Sequence, residues 1–559
     1  MKSRKIKSVI TFTVIMTLLS AVGCGNKSSI EDNTKTPQTT TVAAEPFGKY
    51  NPPINIEMVN ENYDPNGTKL KDGDTIGNDV YTRVYSDKLG VNIKYRWTAV
   101  GEAKDQKLNV MIASGDFPDI FQVNQIQYEK LAKSGKIADL TKVYEDYASD
   151  YTKQYYSGEY SKSLDVLKKD GKIYGFPFYG SYHENVPVIW MRSDWLKKLN
   201  LNAPKTGDEL FNVAEAFTKQ DPDGNAKDDT YGISLNNDIN IAAYWNMFHS
   251  YPSIWNKDSS NKLSQGMFGS QEQIDATKAG LQKLQAFYKD GVIKKDFATM
   301  DANKANEDIV AGKCGIAFGG LWDCYGALYN NVQKDPKANW IPIAVPSVDD
   351  KPATISANPV SIFGVFVVKK EFKNPEALVK MINLYHNLNN NTKTMEFAKY
   401  NTDPTDGNPI LAISPIQVWN PIFNVEGYRI IKDVYDKKIE LSTLPECYKL
   451  FYDQITAFTD KNDRAQWSAA AGYGLNGSTS VADYYIQNKS HVLNEFTGVP
   501  TKGMGQKQPQ IDKLWKQLQP TIIMGASISE FDKFISEYKS VGGDQITKEV
   551  NDWYSQQGK

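Results

Sequence analysis

The chain has 559 residues, with 64 Lys and Arg against 66 Asp and Glu and a formal net charge of −2. Charges of both signs are interleaved and form no basic stripe, which argues against a nucleic-acid partner. The length exceeds what one hydrophobic core serves, so two large lobes are expected. Aromatic residues reach 12%, with 11 Trp and 32 Tyr, which suits a large core or a surface that stacks on flat rings.

The first residues, MKSRKIKSVITFTVIMTLLSAVGCGNKSS, place Lys2, Arg4, Lys5 and Lys7 before a short apolar run, Val9 to Val22. That run is shorter than the roughly 20 residues a bilayer span requires and reads as a secretory signal, 1–23. Small residues precede Cys24, as in a bacterial lipobox, so lipidation at Cys24 is expected, although Ala21 stands where a leucine is usual. Residues 24–48 are rich in Ser, Thr, Asn and Pro and are expected to be a flexible tether holding the body to the extracytoplasmic face of the cell membrane. Cys314, Cys324 and Cys447 are expected to be buried thiols rather than a disulfide framework. None of the four histidines, His183, His249, His386 and His491, has zinc-site spacing.

In chain order, INIEMV (54–59) alternates like a strand, NDVYTRVYSDKLG (78–90) is a helix closed by Gly90, and VNIKYRW (91–97) is the next strand. A strand, a helix and a strand in so short a stretch form a βαβ unit, hence a parallel sheet. A helix over 104–115, a strand over PDIFQV (118–123) and a helix ending at Gly135 continue the pattern. GKIYGFPFYG (171–180) is strand-like but broken by Gly175, Pro177 and Gly180, and it is expected to pass between sheets. A strand and helix follow over 186–201, then amphipathic helices over 205–220 and 270–291. KCGIAFGGLWD (313–323) is a buried strand running into a glycine-rich turn. SIFGVFVVKK (361–370) is a strand followed by a helix with Pro375 near its start. Helices dominate the C-terminal part. The chain shows no internal repeat.

Several of these segments, in this order, carry a resemblance: MIASGDFPDIFQV, GKIYGFPF, IWMRSDWLKKLNLNAPKTGDEL, DPDGNAKDDTYGI, GKCGIAFGGLW and the long C-terminal stretch from LWKQLQP to VNDWY. Together, behind a lipobox, they resemble extracellular solute-binding proteins of family 1, in the large lipoprotein branch that includes alginate-oligosaccharide-binding proteins of ABC importers. The resemblance implies an α/β, two-lobed periplasmic-binding-protein-like fold of type II with three interlobe crossovers, expected near 172–178, 345–360 and 405–420. Lobe 1 would comprise 49–174 and 351–412, and lobe 2 would comprise 175–350 and 413–559. It further implies a monomer that captures an oligosaccharide between the lobes, alters it in no way, and hands it to a permease pair served by a cytoplasmic ATPase.

The loop DPDGNAKDDTYG (221–232) places Asp221, Asp223, Asn225 and Asp229 at positions 1, 3, 5 and 9, with the Lys227 carbonyl at position 7. Calcium accepts such an oxygen set. Ala226 at position 6 and Gly232 at position 12 depart from an EF-hand, so the spacing leaves open a solvated Asp/Gly turn. The resemblance implies a structural calcium ion here, with Thr230 standing where relatives can carry an acidic ligand.

A sugar site needs flat aromatic walls and hydrogen-bonding groups. Trp322, beside two glycines, is the leading candidate, with Asp323 next to it. Tyr179, Tyr182 and His183 follow an expected crossover. Trp245, Trp419 and Trp467 are further aromatic candidates, Arg464 is a candidate for bonding hydroxyls or a uronate, and Asn124 and Gln125 lie past the C-end of a strand, where open α/β sheets bind ligands. Trp97, Trp190, Trp195 and Trp515 read as core. Two other functions compete: a surface glycan-binding or sensor-accessory lipoprotein without transport, and a secreted carbohydrate-active enzyme. No G-x-S-x-G, H-E-x-x-H or P-loop supports the last.

Overall fold

The computed structural model describes residues 44–65, 68–158, 161–402 and 409–557. The expected signal, Cys24 and most of the tether lie outside the described residues. The tether was expected to reach residue 48, but its end is pinned: the Asn383 side chain donates to the Pro46 carbonyl and the Lys380 ammonium to that of Gly48, both at 2.9 Å.

The strands, in chain order, are β1 (Ile54–Asn60), β2 (Val91–Thr98), β3 (Ile120–Val123), β4 (Phe176–Gly180), β5 (Pro187–Arg192), β6 (Tyr231–Ser234), β7 (Trp255–Lys257), β8 (Leu263–Gln265), β9 (Cys314–Gly320), β10 (Trp340–Ile343), β11 (Ile355–Ala357), β12 (Ser361–Val368) and β13 (His491–Leu493). The first sheet has the order β2-β1-β3-β12-β4 and the second β10-β5-β9-β6. The expected βαβ unit is present: β1 and β2 pair in parallel, from Ile54 against Val91 to Met58 against Tyr95. The helix between them, Val80–Leu89, is capped by Asp79 and closed by Gly90 at φ 66°, a conformation glycine adopts without strain.

Each sheet has its own core. Ile56, Tyr81, Phe176, Val368 and Tyr385 are fully or nearly fully buried on one face of the first sheet, and Phe121, Val365 and Val367 on the other. Trp190, Trp195, Phe217, Ile316 and Trp340 fill the second. Core membership places the passages between lobes. Tyr179 packs in the first core and Val186 in the second; Ile355 packs in the second and Phe366 in the first; Val418 packs in the first and Val425 in the second.

The chain therefore leaves the first sheet after Gly180, later than the expected boundary at 174–175. The broken strand 171–180 does not pass between sheets. It is the edge strand β4, where Pro177 needs no ladder partner on its open side. A Cβ on Gly175 would stand 2.7 Å from Val365 and 2.8 Å from the Phe366 carbonyl, so that glycine serves close approach to β12.

Strand direction sets the cleft. β1 to β4 run parallel and β12 opposes β3 and β4. β9, β6 and β10 share a direction opposite to β5. Because β4 leads directly into β5, the C-terminal edges of β1–β4 turn toward the C-terminal edges of β6, β9 and β10. A third, helical cluster around Met395, Phe397, Ile431, Tyr448 and Tyr473 stands beside the passages.

Candidate functional site

β9 ends in Gly319 and Gly320, and the chain folds back through the short turn Leu321–Tyr325. A Cβ on Gly319 would lie 1.7 Å from an Asp323 carboxylate oxygen, so glycine there leaves room for that carboxylate in the turn. The same oxygen accepts from the Gly320 amide at 3.1 Å. The turn buries Leu321 and Cys324 and leaves Trp322 39% and Tyr325 52% exposed.

Those two rings form one wall of a cavity of about 740 Å³, within the size range of small-molecule sites. The opposite wall comes from the first lobe: Asn389 and Asn390 at the end of the helix Glu376–Asn389, then Leu411 and Trp419. Trp419 is 41% exposed and is braced edge-on by Phe178 at 4.9 Å and Phe363 at 6.1 Å. Asn390 is fixed by donating to the Val418 carbonyl at 2.5 Å.

Between the walls lie Glu184, Asn424 and Tyr473. Glu184, on the first passage, accepts from the Asn424 backbone amide at 2.7 Å, the Asn424 side chain at 2.5 Å and the Val425 amide at 3.1 Å. These donors open the helix Phe423–Tyr435, whose N-terminus favours a carboxylate. Burial nevertheless pushes Glu184 up to about 7, against the lowering effect of those bonds. The Tyr473 hydroxyl donates to the Asn424 side-chain oxygen at 2.8 Å.

Of the residues singled out from sequence, Trp322 and Trp419 meet in this cavity. Trp245 does not: it is fully buried, donating from its ring nitrogen to the Ile239 carbonyl at 2.6 Å and packing on Trp515. Trp467 is core as well, 1% exposed and bonded to Asn339 at 2.9 Å. Tyr179 lies inside the first lobe, its hydroxyl on the Tyr155 carbonyl at 3.3 Å. Tyr182 and His183 lie against each other, tilted, at 4.0 Å and meet His491 edge-on, along the first passage but outside the cavity. Asn124 is exposed and caps the helix Gln125–Lys133 by accepting from the Gln127 amide at 2.9 Å, with Gln125 as that helix's first residue. Asp323 holds the turn and borders a different hollow. Arg464 donates to the carbonyls of Val332, Asp335 and Ala338 at 2.6–3.1 Å, closing the end of the helix Ala327–Lys334, which occupies its guanidinium. Glu184, Asn424 and Tyr325 carried no sequence signal beyond Tyr325's place in the glycine-rich turn.

The acidic loop folds around its own side chains. Asp221 accepts from the amides of Gly224, Asn225 and Ala226 at 2.9–3.1 Å. The Asn225 side-chain nitrogen donates to Asp223 at 2.7 Å and Asp229 at 3.0 Å, between their carboxylates. Lys313 pairs with Asp229. Among the described residues, no three acidic or other metal-binding side chains converge tightly enough to hold a metal as they stand. The chemistry still suits a hard cation, with three carboxylates in one short loop and the Asn225 amide between two of them, although the Asn225 oxygen is at present taken by the Lys227 amide at 2.8 Å. Thr230 is turned inward onto the Phe217 carbonyl at 3.0 Å and belongs to the fold of the loop.

The profile of the family described as bacterial extracellular solute-binding protein matches residues 67–385, more than half of the chain. The polygalacturonan/rhamnogalacturonan-binding protein YtcQ of Bacillus subtilis is 33% identical over 39% of this chain and 42% of its own length. Lipoprotein LipO of the same organism is 30% identical over 41% of this chain and 44% of its own. The fructooligosaccharide ABC transporter substrate-binding protein FusA of Streptococcus pneumoniae is 28% identical over 42% and 45%. The chain thus spans less than half the length of the curated relatives it matches. Among solved structures, an HMO-binding solute-binding protein of Bifidobacterium longum infantis covers 90% of this chain and 98% of its own, with TM-score 0.62 and 17% identity. The alginate-binding protein AlgQ2, solved without calcium ion, covers 91% and 100%, with TM-score 0.56 and 16% identity. These likenesses extend the same two-lobed architecture across nearly the whole chain. The chain belongs to the bacterial extracellular solute-binding proteins.

Proposed function

We propose that this protein is the substrate-binding component of an ABC importer, closing two lobes on an oligosaccharide and releasing it unchanged to membrane permeases driven by a cytoplasmic ATPase. The observation that carries this reading is the pair Trp322 and Trp419, one on each lobe, exposed across a cavity whose other lining is mostly aromatic rings and amides. Rings stack on the C–H faces of sugars and amides bond their hydroxyls. A ligand touching both walls stabilises the closed state, so closure follows from differential contact. Hinge closure of periplasmic binding proteins is itself a known switching mode. The family and the sugar-binding names of its relatives favour binding over turnover.

In this reading the protein acts as a monomer and is held at the outer face of the cell membrane by lipid on Cys24; no described helix is long and apolar enough to cross a membrane. Calcium occupies the 221–229 loop through Asp221, Asp223, Asn225, Asp229 and the Lys227 carbonyl, as a structural ion far from any chemistry. The test is a thermal-shift screen against oligosaccharides of several backbones, followed by chromatography of the recovered sugar. The expected result is a raised Tm with intact sugar; no shift with any glycan, or a cleaved product, overturns the reading.

A further inference from the structure

The charge of the cavity narrows its ligand. Among the described residues its lining holds eight aromatic side chains and seven amides, Asn389, Asn390, Asn401, Asn420, Asn424, Gln454 and Gln466, with Glu184 as the sole acidic group and no Lys, Arg or His. Several basic residues on the same elements are engaged elsewhere, while Lys334 and Lys461 stand at the last turns of their helices, outside the lining. Arg464 is spent on three carbonyls. Lys399 bonds Glu396 at 3.0 Å, Lys449 bonds Asp453 at 2.6 Å and Arg429 bonds Asp483 at 2.7 Å.

A uronate carboxylate buried between two lobes needs an Arg or Lys partner, because an unpaired buried charge is strongly disfavoured. Here it would instead meet Glu184. That carboxylate is held in place by three donors from the helix it caps, so it cannot swing aside without uncapping that helix. Amides, by contrast, donate and accept at once and match hydroxyl groups of either role; Asn389, Asn390, Asn401, Asn420 and Asn424 are already bonded within the protein, so Gln454 and Gln466 are the more available of the seven.

We infer that this cavity takes an uncharged oligosaccharide and that Glu184 is a specificity residue rejecting uronates. The inference rests on the carbohydrate reading above and sets the ligand apart from the polygalacturonan in the name of the Bacillus subtilis relative. Burial already raises Glu184, and a second negative charge beside it would raise it further, the same coupling seen from the other side.

The experiment is titration calorimetry on the full-length protein at pH 8, where Glu184 is mostly ionised. The probes are neutral fructo-, galacto-, manno-, xylo- and cello-tetrasaccharides, tetragalacturonate, its methyl ester, and an alginate tetramer. Binding is expected only among the neutral probes, with acids at least about tenfold weaker, as like-charge juxtaposition dictates. The affinity should hold constant from low to high salt, since no ion pair forms. In Glu184→Gln the ratio of neutral to acidic affinity should narrow. An acidic oligosaccharide that binds as tightly as a neutral one, or a salt-dependent affinity, overturns the inference while leaving sugar capture standing. A Glu184→Gln ratio equal to wild type removes Glu184 from the explanation. Binding of no probe of either charge overturns the carbohydrate reading and this inference with it.

Discussion

Glu184 and Asn424 lie 240 positions apart in sequence, yet the carboxylate of the first takes both the backbone and the side-chain amide of the second, at 2.7 and 2.5 Å. Glu184 sits on the first passage between lobes and Asn424 on the third, so one residue pair ties two hinge segments together at the floor of the cavity. Ligand contact there reaches the hinge directly.

Burial of Glu184, which outweighs these bonds, makes stability fall as pH rises. Glu184 stands at about 7 in the fold against an ordinary value of 4.5, and burial likewise pushes Glu61 up to about 8. Groups raised on folding stabilise fully below their unfolded values and lose that contribution as pH climbs through the folded ones. His386 works the other way, since burial holds it near 3 against 6.5, so the fold that keeps it neutral loses stability as pH falls below about 6.5. Between pH 6.5 and 8 only the glutamates act in this set. Denaturant unfolding should therefore show decreasing stability across that window, with a shallower decline in Glu184→Gln; a flat or rising profile in the wild type contradicts the assignment.

Trp322 and Trp419 should separate binding from folding. Each stands about two-fifths exposed, so truncation to alanine removes ligand contact and little core. Affinity for the sugar identified by screening should drop by about 1–3 kcal/mol in each variant, the range of a binding hot spot, with Tm nearly unchanged. Trp245→Ala, at a fully buried ring, should instead cost about 3–5 kcal/mol of stability. A Trp322→Ala protein that fails to fold would place that ring in the core.

The tryptophans show what the sequence carries and what it withholds. Trp322 was legible because glycines flank it after a buried strand, and only a tight reversal needs them there. Trp245 and Trp467 also sit beside small and polar residues, but their burial depends on Trp515 and Asn339, partners hundreds of residues away or on another element. The βαβ start was legible from periodicity alone. The strand over 171–180 was misread as a passage because glycine and proline mark an edge strand in close approach as readily as a bend between sheets. Glu184 was invisible: an isolated acid in a turn acquires meaning only when Asn424 is folded against it.

Gly319→Ala should damage the binding wall through one side chain. The added methyl would meet the Asp323 carboxylate at 1.7 Å, pushing it off the Gly320 amide and loosening the Leu321–Tyr325 turn, at about 1–3 kcal/mol, as other overpacked sites do. Sugar affinity should fall with it, because Trp322 rides on that turn. Asp323→Ala in the same chain removes the obstacle, though also the bond from the Gly320 amide, and should restore part of both. If the double variant is no better than Gly319→Ala, the turn is held by something other than this contact.

The calcium proposal has the firmest test. The side chains of Asp223 and Asp229 are bridged by one amide nitrogen of Asn225, a weak substitute for a divalent ion among three carboxylates. A cation bound only by the folded loop stabilises in proportion to the logarithm of its concentration over Kd, about 2.7 kcal/mol at a hundredfold excess. Tm should rise with added calcium, fall with EDTA, and rise less with magnesium, which tolerates irregular oxygen cages poorly. Asp223→Asn with Asp229→Asn should fold and lose the calcium response, while sugar binding in calcium-free buffer stays close to wild type, because the loop lines no part of the cavity. A calcium response that survives the double substitution would move the ion elsewhere, and a wild-type Tm indifferent to both calcium and EDTA would leave the loop as a hydrogen-bonded turn.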